Sequence, residues 1–235
     1  AFCPMKPSPC SPLVVTGYAR FPMESASGKP LGFPLNTPRV RHDDMKGRES
    51  GMPEEDYSAS FFDADRAVET LLGDSDLQGN LVEFGCGYGT FTLLAAQRIT
   101  GKVTALDIEP DMVTSVRCKA EMGGLSNIHV VLRDFVAQGT GLADGTQAHA
   151  MIYNLLHLEN PNALLAEAYR ILRPDGVLSV IHWRNDIPTP RGPSLAIRPS
   201  PDQCQRWMAQ AGFEAVELVD LQHCCPFHFG LIGRR

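Results

Sequence analysis

From Asn80 to Trp183 the chain alternates short apolar runs with longer amphipathic ones, and that alternation restricts the fold more than any other feature. "NLVEF", "KVTALD", "IHVVL", "HAMIYN" and "GVLSVIHW" read as buried strands. Between them, "YGTFTLLAAQRIT", "EPDMVTSVRCKAEMGG" and "NPNALLAEAYRIL" carry apolar residues at helical spacing. Pro110 and the pair Asn160–Pro161 mark helix starts, and Gly123 marks a helix end. Strands alternating with helices require a parallel sheet covered on both faces. Upstream, "SFFDADRAVETLLG" has apolar residues at 61, 64, 68, 71 and 72 and adds a helix stopped by Gly73. Downstream, "SPDQCQRWMAQAG" opens with Ser200 and Gln203 in a capping-box arrangement. The last two apolar runs, "FEAVELVDL" and "FHFGLIG", have only "QHCCP" between them. That is too short for a right-handed crossover, so they pair antiparallel. The expected fold is an open, doubly wound, mostly parallel α/β sheet with one antiparallel strand near the C-terminal end.

Residues 1–55 do not share this pattern. Eight of the eighteen prolines fall before residue 40, among Ser and Gly and without a periodic apolar face. Such a segment buries too little apolar surface to offset the entropy of ordering it. The expected division is an extended or disordered Pro-rich arm over 1–55 and one folded domain over 56–235. The fragment "SASGKP" is not a phosphate loop, because Pro30 stands where Ser or Thr is required.

The charge balance narrows the partners. The net charge is −6, but residues 1–50 hold seven Lys/Arg against four Asp/Glu, leaving the remainder at −9. An acidic domain is a poor partner for a phosphate backbone, which is neutralised by clustered Lys and Arg. The expectation is a small-molecule partner, with no nucleic acid and no membrane. No apolar run reaches the roughly 18 residues of a membrane span, and no basic-then-apolar leader is present, so a cytoplasmic location is expected. The oligomeric state is not readable. Seven cysteines without CxxC spacing fit reduced thiols better than a disulfide framework. The nearest approach to a metal cluster is "HCCPFH", His223 to His228, whose adjacent Cys224 and Cys225 would face opposite sides of a strand. No metal site is expected, although a soft-metal or arsenical site built from Cys204, Cys224 and Cys225 stays open.

The stretch "NLVEFGCGYGTFTLLAAQ" carries the chemistry. In an open α/β sheet, ligands lie beyond the carboxyl ends of the strands. The first strand ends at Glu83 and Phe84, so Gly85, Gly87 and Gly89 form the turn into the next helix, where bare backbone allows positive φ and close approach of a ligand. A dinucleotide fingerprint would need a glycine at position 90, where Thr90 stands. Asp107 ends the second strand and can accept hydrogen bonds from both hydroxyls of a ribose. Asp134, in "LRDF", can accept from an exocyclic amine, with Phe135 beside it to cover a ring. Acid, glycines, acid and acid along one edge complement a nucleoside joined to a cationic amino acid. Cys86, between two of the glycines, reads as a small side chain packed under the turn rather than as a nucleophile.

Together "VEFGCGYGT", "ALDIEPDMV", "LRDF" and "YRILRPDGVLSVIHW" resemble a class I S-adenosylmethionine-dependent methyltransferase of the small-molecule type, over roughly residues 60–233. The resemblance implies a Rossmann-like fold and S-adenosylmethionine as cofactor. It also implies that Gly85, Gly87 and Gly89 contact the methionine portion and that Glu83 orients its ammonium. Asp107 would bind the ribose, Ile108 would lie against the adenine, and Asp134 and Phe135 would hold the adenine edge.

Acceptor residues should come from the loops after the fourth and fifth strands and from the segment above the site. The expected catalytic pair is His157, as proton acceptor, and Asn154, both in "YNLLHLEN". The expected substrate-contacting residues are Tyr57, His182, Trp183 and Arg184, with Phe61 and Phe62 upstream. A histidine bonded only to its own loop has the same sequence signature as a general base, so both readings of His157 stand at this stage. Transfer of a methyl group to a small acceptor is the expected reaction. The alternatives are a cofactor-binding module without transferase activity and a dinucleotide-dependent oxidoreductase.

Overall fold

The computed structural model describes residues 54–73 and 77–235. The expected arm over 1–55 lies outside the described residues, except for its last two.

Among the described residues seven strands form one sheet: β1 (Leu81–Phe84), β2 (Val103–Asp107), β3 (Ile128–Leu132), β4 (Gln147–Tyr153), β5 (Leu172–Trp183), β6 (Glu214–Val219) and β7 (His228–Arg234). Their order is β3-β2-β1-β4-β5-β7-β6. The first five run parallel, and β7 is antiparallel to both β5 and β6. The fold is the expected open α/β sheet. The order reverses at β1, so the gap between β1 and β4 is the switch point at which such sheets bind ligands.

The helices are α1 (Glu55–Ala59), α2 (Ala64–Leu72), α3 (Thr92–Arg98), α4 (Pro110–Met122), α5 (Phe135–Gln138), α6 (Pro161–Ile171) and α7 (Pro201–Gln210). Side chains of a strand alternate between faces, and two apolar layers result. Val82, Phe84, Ile152 and Val180 face α6 and α7, with Leu165, Ile171 and Met208 packed against them. Leu81, Met151 and Ile181 face α2 and α3, meeting Val68, Leu71 and Ala95. Burying such side chains contributes about 1.5–3 kcal/mol each. Strand β1 is buried along its whole length, as a central parallel strand must be.

Caps fix where the helices begin. Asn160 accepts from the Ala163 N–H at 3.1 Å, and Ser200 accepts from the Gln203 N–H at 3.2 Å, each followed by proline at the first helical position. The upstream helix starts later than its periodicity suggests: Asp63 caps it, accepting from Arg66 N–H at 3.3 Å, and Phe61 and Phe62 stand before it. Helix α1 was not expected. It has no buried residue, and Lys119 of α4 ties it down by an ion pair with Glu55, while the same ammonium donates to the Tyr88 carbonyl at 2.9 Å.

The cysteines partly depart from expectation. Cys118 is disulfide-bonded, whereas Cys86, Cys204, Cys224 and Cys225 are free thiols. An odd count excludes pairing all seven cysteines but not a single pair. Cys204 lies in the layer against α6 and α7, and Cys224 and Cys225 lie in the layer against α2 and α3. The sheet separates them, so no three-cysteine site forms. His223 is exposed, 3.4 Å from Thr70 Oγ1, while His228 is fully buried. The sequence "HCCPFH" therefore splits between surface and core. Among the described residues no helix is long and apolar enough to cross a membrane.

Candidate active site

The carboxyl edge of the sheet gathers most of the residues singled out from sequence. All three loop glycines have positive φ: Gly85 at 69°, Gly87 at 52° and Gly89 at 81°. A Cβ at Gly89 would lie 3.0 Å from Val116 Cγ2, and one at Gly85 would lie 3.2 Å from Leu155 Cδ1. The turn is thus closed from behind by α4 and by the loop after β4.

Two acids flank the turn. Glu83 is buried and accepts a short hydrogen bond from Thr92 Oγ1 at the start of α3. Burial, and then the charge of Asp107, push its carboxyl up to about 8 against the pull of the Thr92 bond. Asp107 accepts from the Gly87 N–H at 2.8 Å through Oδ2 and from the Glu109 N–H at 3.0 Å through Oδ1. Each of its oxygens keeps a further lone pair for a hydroxyl donor. Burial and the two neighbouring carboxylates push the Cys86 thiol up, so it is no thiolate nucleophile. Ile108 is half-buried at the start of the next loop.

Asp134 caps α5, accepting from the Ala137 N–H at 2.9 Å. Phe135 does not stand open beside it. Its ring is buried edge-on against Phe84 at 5.6 Å, in the layer facing α6.

Asn154 ends β4 at φ 59°, and its backbone N–H donates to the Ile181 carbonyl at 2.7 Å. The side-chain oxygen is buried without a hydrogen-bond partner. An unpaired buried acceptor at the switch point invites a donor, and the ammonium of an amino acid would satisfy it together with Glu83.

His157 and His182 meet. His157 Nδ1 lies 3.3 Å from His182 Nε2, and His182 Nδ1 lies 3.1 Å from the Trp183 carbonyl oxygen. A carbonyl only accepts, so His182 carries its proton on Nδ1 and accepts at Nε2. His157 must then donate from Nδ1, which leaves its Nε2 with a lone pair. Burial and then the Arg198 charge lower His157 to about 4, and burial and then its neighbours lower His182 to about 3. Both rings are neutral at physiological pH.

Trp183 is packed among aromatic rings. Phe61 meets it edge-on at 5.4 Å, Tyr57 meets Phe61 at 5.0 Å, and the His228 ring lies 4.1 Å from Trp183, tilted by 41°. Phe62 covers His228 at 4.6 Å. Arg184 does not join them. Its guanidinium is held by Asp186 at 2.7 and 2.9 Å and by Gln222 at 2.8 Å. Sequence reasoning missed Arg198, and it weighed His228 only as part of a metal cluster. Both residues arrive at this edge through non-local packing. A separate depression of about 590 Å³, lined by Arg117, Gly124, Ser126 and Val130 among others, lies at the opposite, amino edge of the sheet.

The comparisons agree with this geometry. Residues 81–176 match a family described as methyltransferase domain. That segment, 96 of the 235 residues, runs from the start of β1 into β5 and holds the glycine turn and Asp107. Among solved structures, this domain is similar to a SAM-dependent methyltransferase from Aquifex aeolicus, with 22% identity, TM-score 0.63, and coverage of 74% of this chain and 90% of that one. It is also similar to geranyl diphosphate methyltransferase in complex with SAM, with 18% identity, TM-score 0.61, and coverage of 81% and 96%. The cyclase SpnF shares the fold of the methyltransferase domain at 17% identity and TM-score 0.61, over 81% of this chain and 85% of that one. A curated relative, an uncharacterised 37.1 kDa protein of transposon TN4556 in Streptomyces fradiae, is 34% identical over 146 residues. That match spans 57% of this chain and 41% of the relative, so the chain spans under half of the relative's length.

Proposed function

We propose that the chain moves the methyl group of S-adenosylmethionine to a small-molecule acceptor by in-line displacement, with His157 as proton acceptor. The observation that carries the role of His157 is its bonding. Its Nδ1 proton is committed to His182, so Nε2 is the basic atom at the carboxyl edge, one strand away from the glycine turn.

The residues present fit the cofactor. Gly85, Gly87 and Gly89 would lie against its methionine portion, Glu83 and the unpaired Asn154 oxygen would take the ammonium, and Asp107 would take the ribose hydroxyls. Ile108 and Asp134 would line the adenine, with the buried Phe135 supporting that wall. When bound, the cofactor supplies a methyl group on a sulfonium, already activated toward a nucleophile. The chain's own residues then orient the acceptor at roughly 3 Å from the reacting carbon and hold water out. Tyr57, Phe61 and Trp183 supply an apolar wall for the acceptor, and His157 Nε2 takes its proton if it has one to lose.

The test is incubation of the full chain with radiolabelled methyl donor and a metabolite extract, followed by mass spectrometry of the labelled product. Labelled small molecules support the reading. Tight cofactor binding without any transfer would instead favour a cofactor-binding module, and the likeness to a protein named as a cyclase is the observation behind that second reading.

A further inference from the structure

Arg198 follows the short 3-10 turn Leu195–Ile197 and is buried, with 8% of its surface exposed. Its guanidinium donates from Nε to the Pro193 carbonyl at 2.8 Å, from Nη1 to the Arg184 carbonyl at 2.8 Å and from Nη2 to the Arg191 carbonyl at 3.1 Å. Three of its five N–H groups are thereby used, and two remain. Carbonyl dipoles satisfy its N–H groups but do not cancel its charge. The guanidinium lies over the Trp183 ring, 5.7 Å from its centroid. A Cβ on Gly192 would come within 2.9 Å of that ring and 3.0 Å of Arg198 Nη2, so the loop is wrapped tightly around the stacked pair.

A buried cation without a counter-charge is unstable unless something negative joins it. Among the described residues no carboxylate pairs with it. His157, His182 and His228 all lie within electrostatic reach of Arg198, and its charge helps keep each of them neutral, after burial. An independent observation points the same way. His228 is fully buried between Phe62 and Trp183, and both of its ring nitrogens lack a partner. A neutral imidazole has one donor and one acceptor, and leaving both unmet in the interior is costly. The edge of the sheet that would face the acceptor therefore holds an unbalanced positive charge and an unsatisfied polar ring, both against the same indole.

We propose that the acceptor carries an anionic group, a carboxylate or a phosphate, which docks on Arg198 beside Trp183, while a polar atom of the same molecule meets His228. The proposal rests on the reading of the chain as a small-molecule methyltransferase and names the substrate class for it. Charge-assisted pairing to a guanidinium is strong and directional, and it would place the rest of the acceptor along the aromatic wall toward His157.

The experiment uses the full chain carrying Trp207→Phe, which leaves Trp183 as the reporter, and titrates it with inorganic phosphate, acetate and, as an ionic-strength control, chloride. The expected result is saturable quenching by phosphate or acetate but not by chloride. Arg198→Met should weaken it roughly tenfold to a hundredfold. Saturation by phosphate alone assigns a phosphorylated acceptor, and saturation by acetate assigns a carboxylate. If Arg198→Met does not fold, Arg198→Lys should retain binding and His228→Phe should weaken it. Quenching that follows ionic strength alone, or that survives Arg198→Met in a folded protein, overturns the proposal and leaves Arg198 a staple of its loop. A second arm separates the two readings. If the labelled methyl product passes through an anion exchanger at neutral pH, the anion site fails while methyl transfer stands. If phosphate or acetate binds saturably but no extract accepts the label, methyl transfer fails while the anion site stands.

Discussion

The backbone N–H of Gly87 donates to Asp107 Oδ2 at 2.8 Å, so the end of β2 holds the centre of the glycine turn that follows β1. One carboxylate thus shapes the loop and presents its remaining lone pairs to a ligand. Asp107→Ala should leave the Gly87 and Glu109 N–H groups without their acceptor and remove the contact to the ribose. Loss of the ligand contact should weaken cofactor binding by about 1–3 kcal/mol per unsatisfied group. Isothermal calorimetry measures this, and unchanged affinity in a folded variant would remove Asp107 from the site.

Gly89 tests whether the turn needs glycine for its backbone or for space. Gly89 and Gly124 have φ of 81° and 66°, but a Cβ at Gly124 meets nothing within 4 Å, whereas one at Gly89 meets Val116 at 3.0 Å. Alanine at a left-handed position costs about 1–2 kcal/mol in backbone strain. Gly89→Ala should therefore lower the thermal midpoint more than Gly124→Ala, by a further few degrees at about 2–4 °C per kcal/mol for a chain of this size. Equal losses would mean that Val116 yields at no cost.

Which parts were legible in the sequence follows from how local each signal is. Strands β1, β2 and β4 are buried almost throughout, and such strands read as apolar runs without need of context, while edge strand β3 shows the same run with only Val130 buried. Strand β5 nonetheless begins at Leu172, earlier than the expected Gly176, because "LRPDG" has no apolar signal of its own. Helix α1 left no pattern because it buries no residue. The glycines and Asp107 were legible because the strand-to-helix turn makes demands on one residue at a time. Phe135 was legible as an aromatic beside an acid, but its burial on Phe84 depends on a strand 51 positions earlier, given the positions 84 and 135. Arg198 and His228 have no local signature. His228 reaches the site because β7 runs back beside β5, which sets it opposite Trp183, and Arg198 because its guanidinium folds back onto the carbonyls of Arg184, Arg191 and Pro193.

The buried acid Glu83 predicts an unusual pH dependence. Its pKa in the folded chain is raised to about 8 from an ordinary 4.5. Between these values the folded state binds the proton more tightly than the unfolded state, so the stability of the cofactor-free protein falls as pH rises through that window. His149, His182 and His228 act in the other direction. Each is lowered to about 3, so each loses stability as pH falls below the ordinary histidine value of 6.5. The Glu83 contribution is isolated by comparing the wild type with Glu83→Gln. The variant should gain thermal midpoint relative to wild type between pH 5 and pH 8, with the gain shrinking when S-adenosylmethionine is present, because its ammonium would favour the carboxylate. A constant difference across that range would show that Glu83 titrates normally.

The last prediction separates His157 as a base from His157 as a loop residue, and it makes use of His182. The Trp183 carbonyl forces the proton of His182 onto Nδ1, and His182 in turn forces that of His157 onto its own Nδ1. His157→Ala should lower turnover by roughly 10²-fold or more with cofactor affinity unchanged, the usual size of a general-base effect. His157→Gln should recover little, since an amide cannot take the proton. His182→Phe keeps a ring in the same place, against Phe229 at 5.9 Å, but removes the acceptor for the His157 proton. His157 then loses its fixed tautomer, and turnover should fall about tenfold while the Michaelis constant of the acceptor stays within a fewfold. The pH profile provides a further check. Burial and Arg198 lower His157 to about 4, so the acid limb of kcat/KM should lie near pH 4 rather than near 6.5. Nitrogen-15 spectra of the wild type should show His157 neutral at pH 7 and protonated on Nδ1, and the His182→Phe variant should show a mixture of tautomers. If both His157 variants stay active within a fewfold, the acceptor needs no base and the histidine pair serves only to hold the loop after β4 against β5.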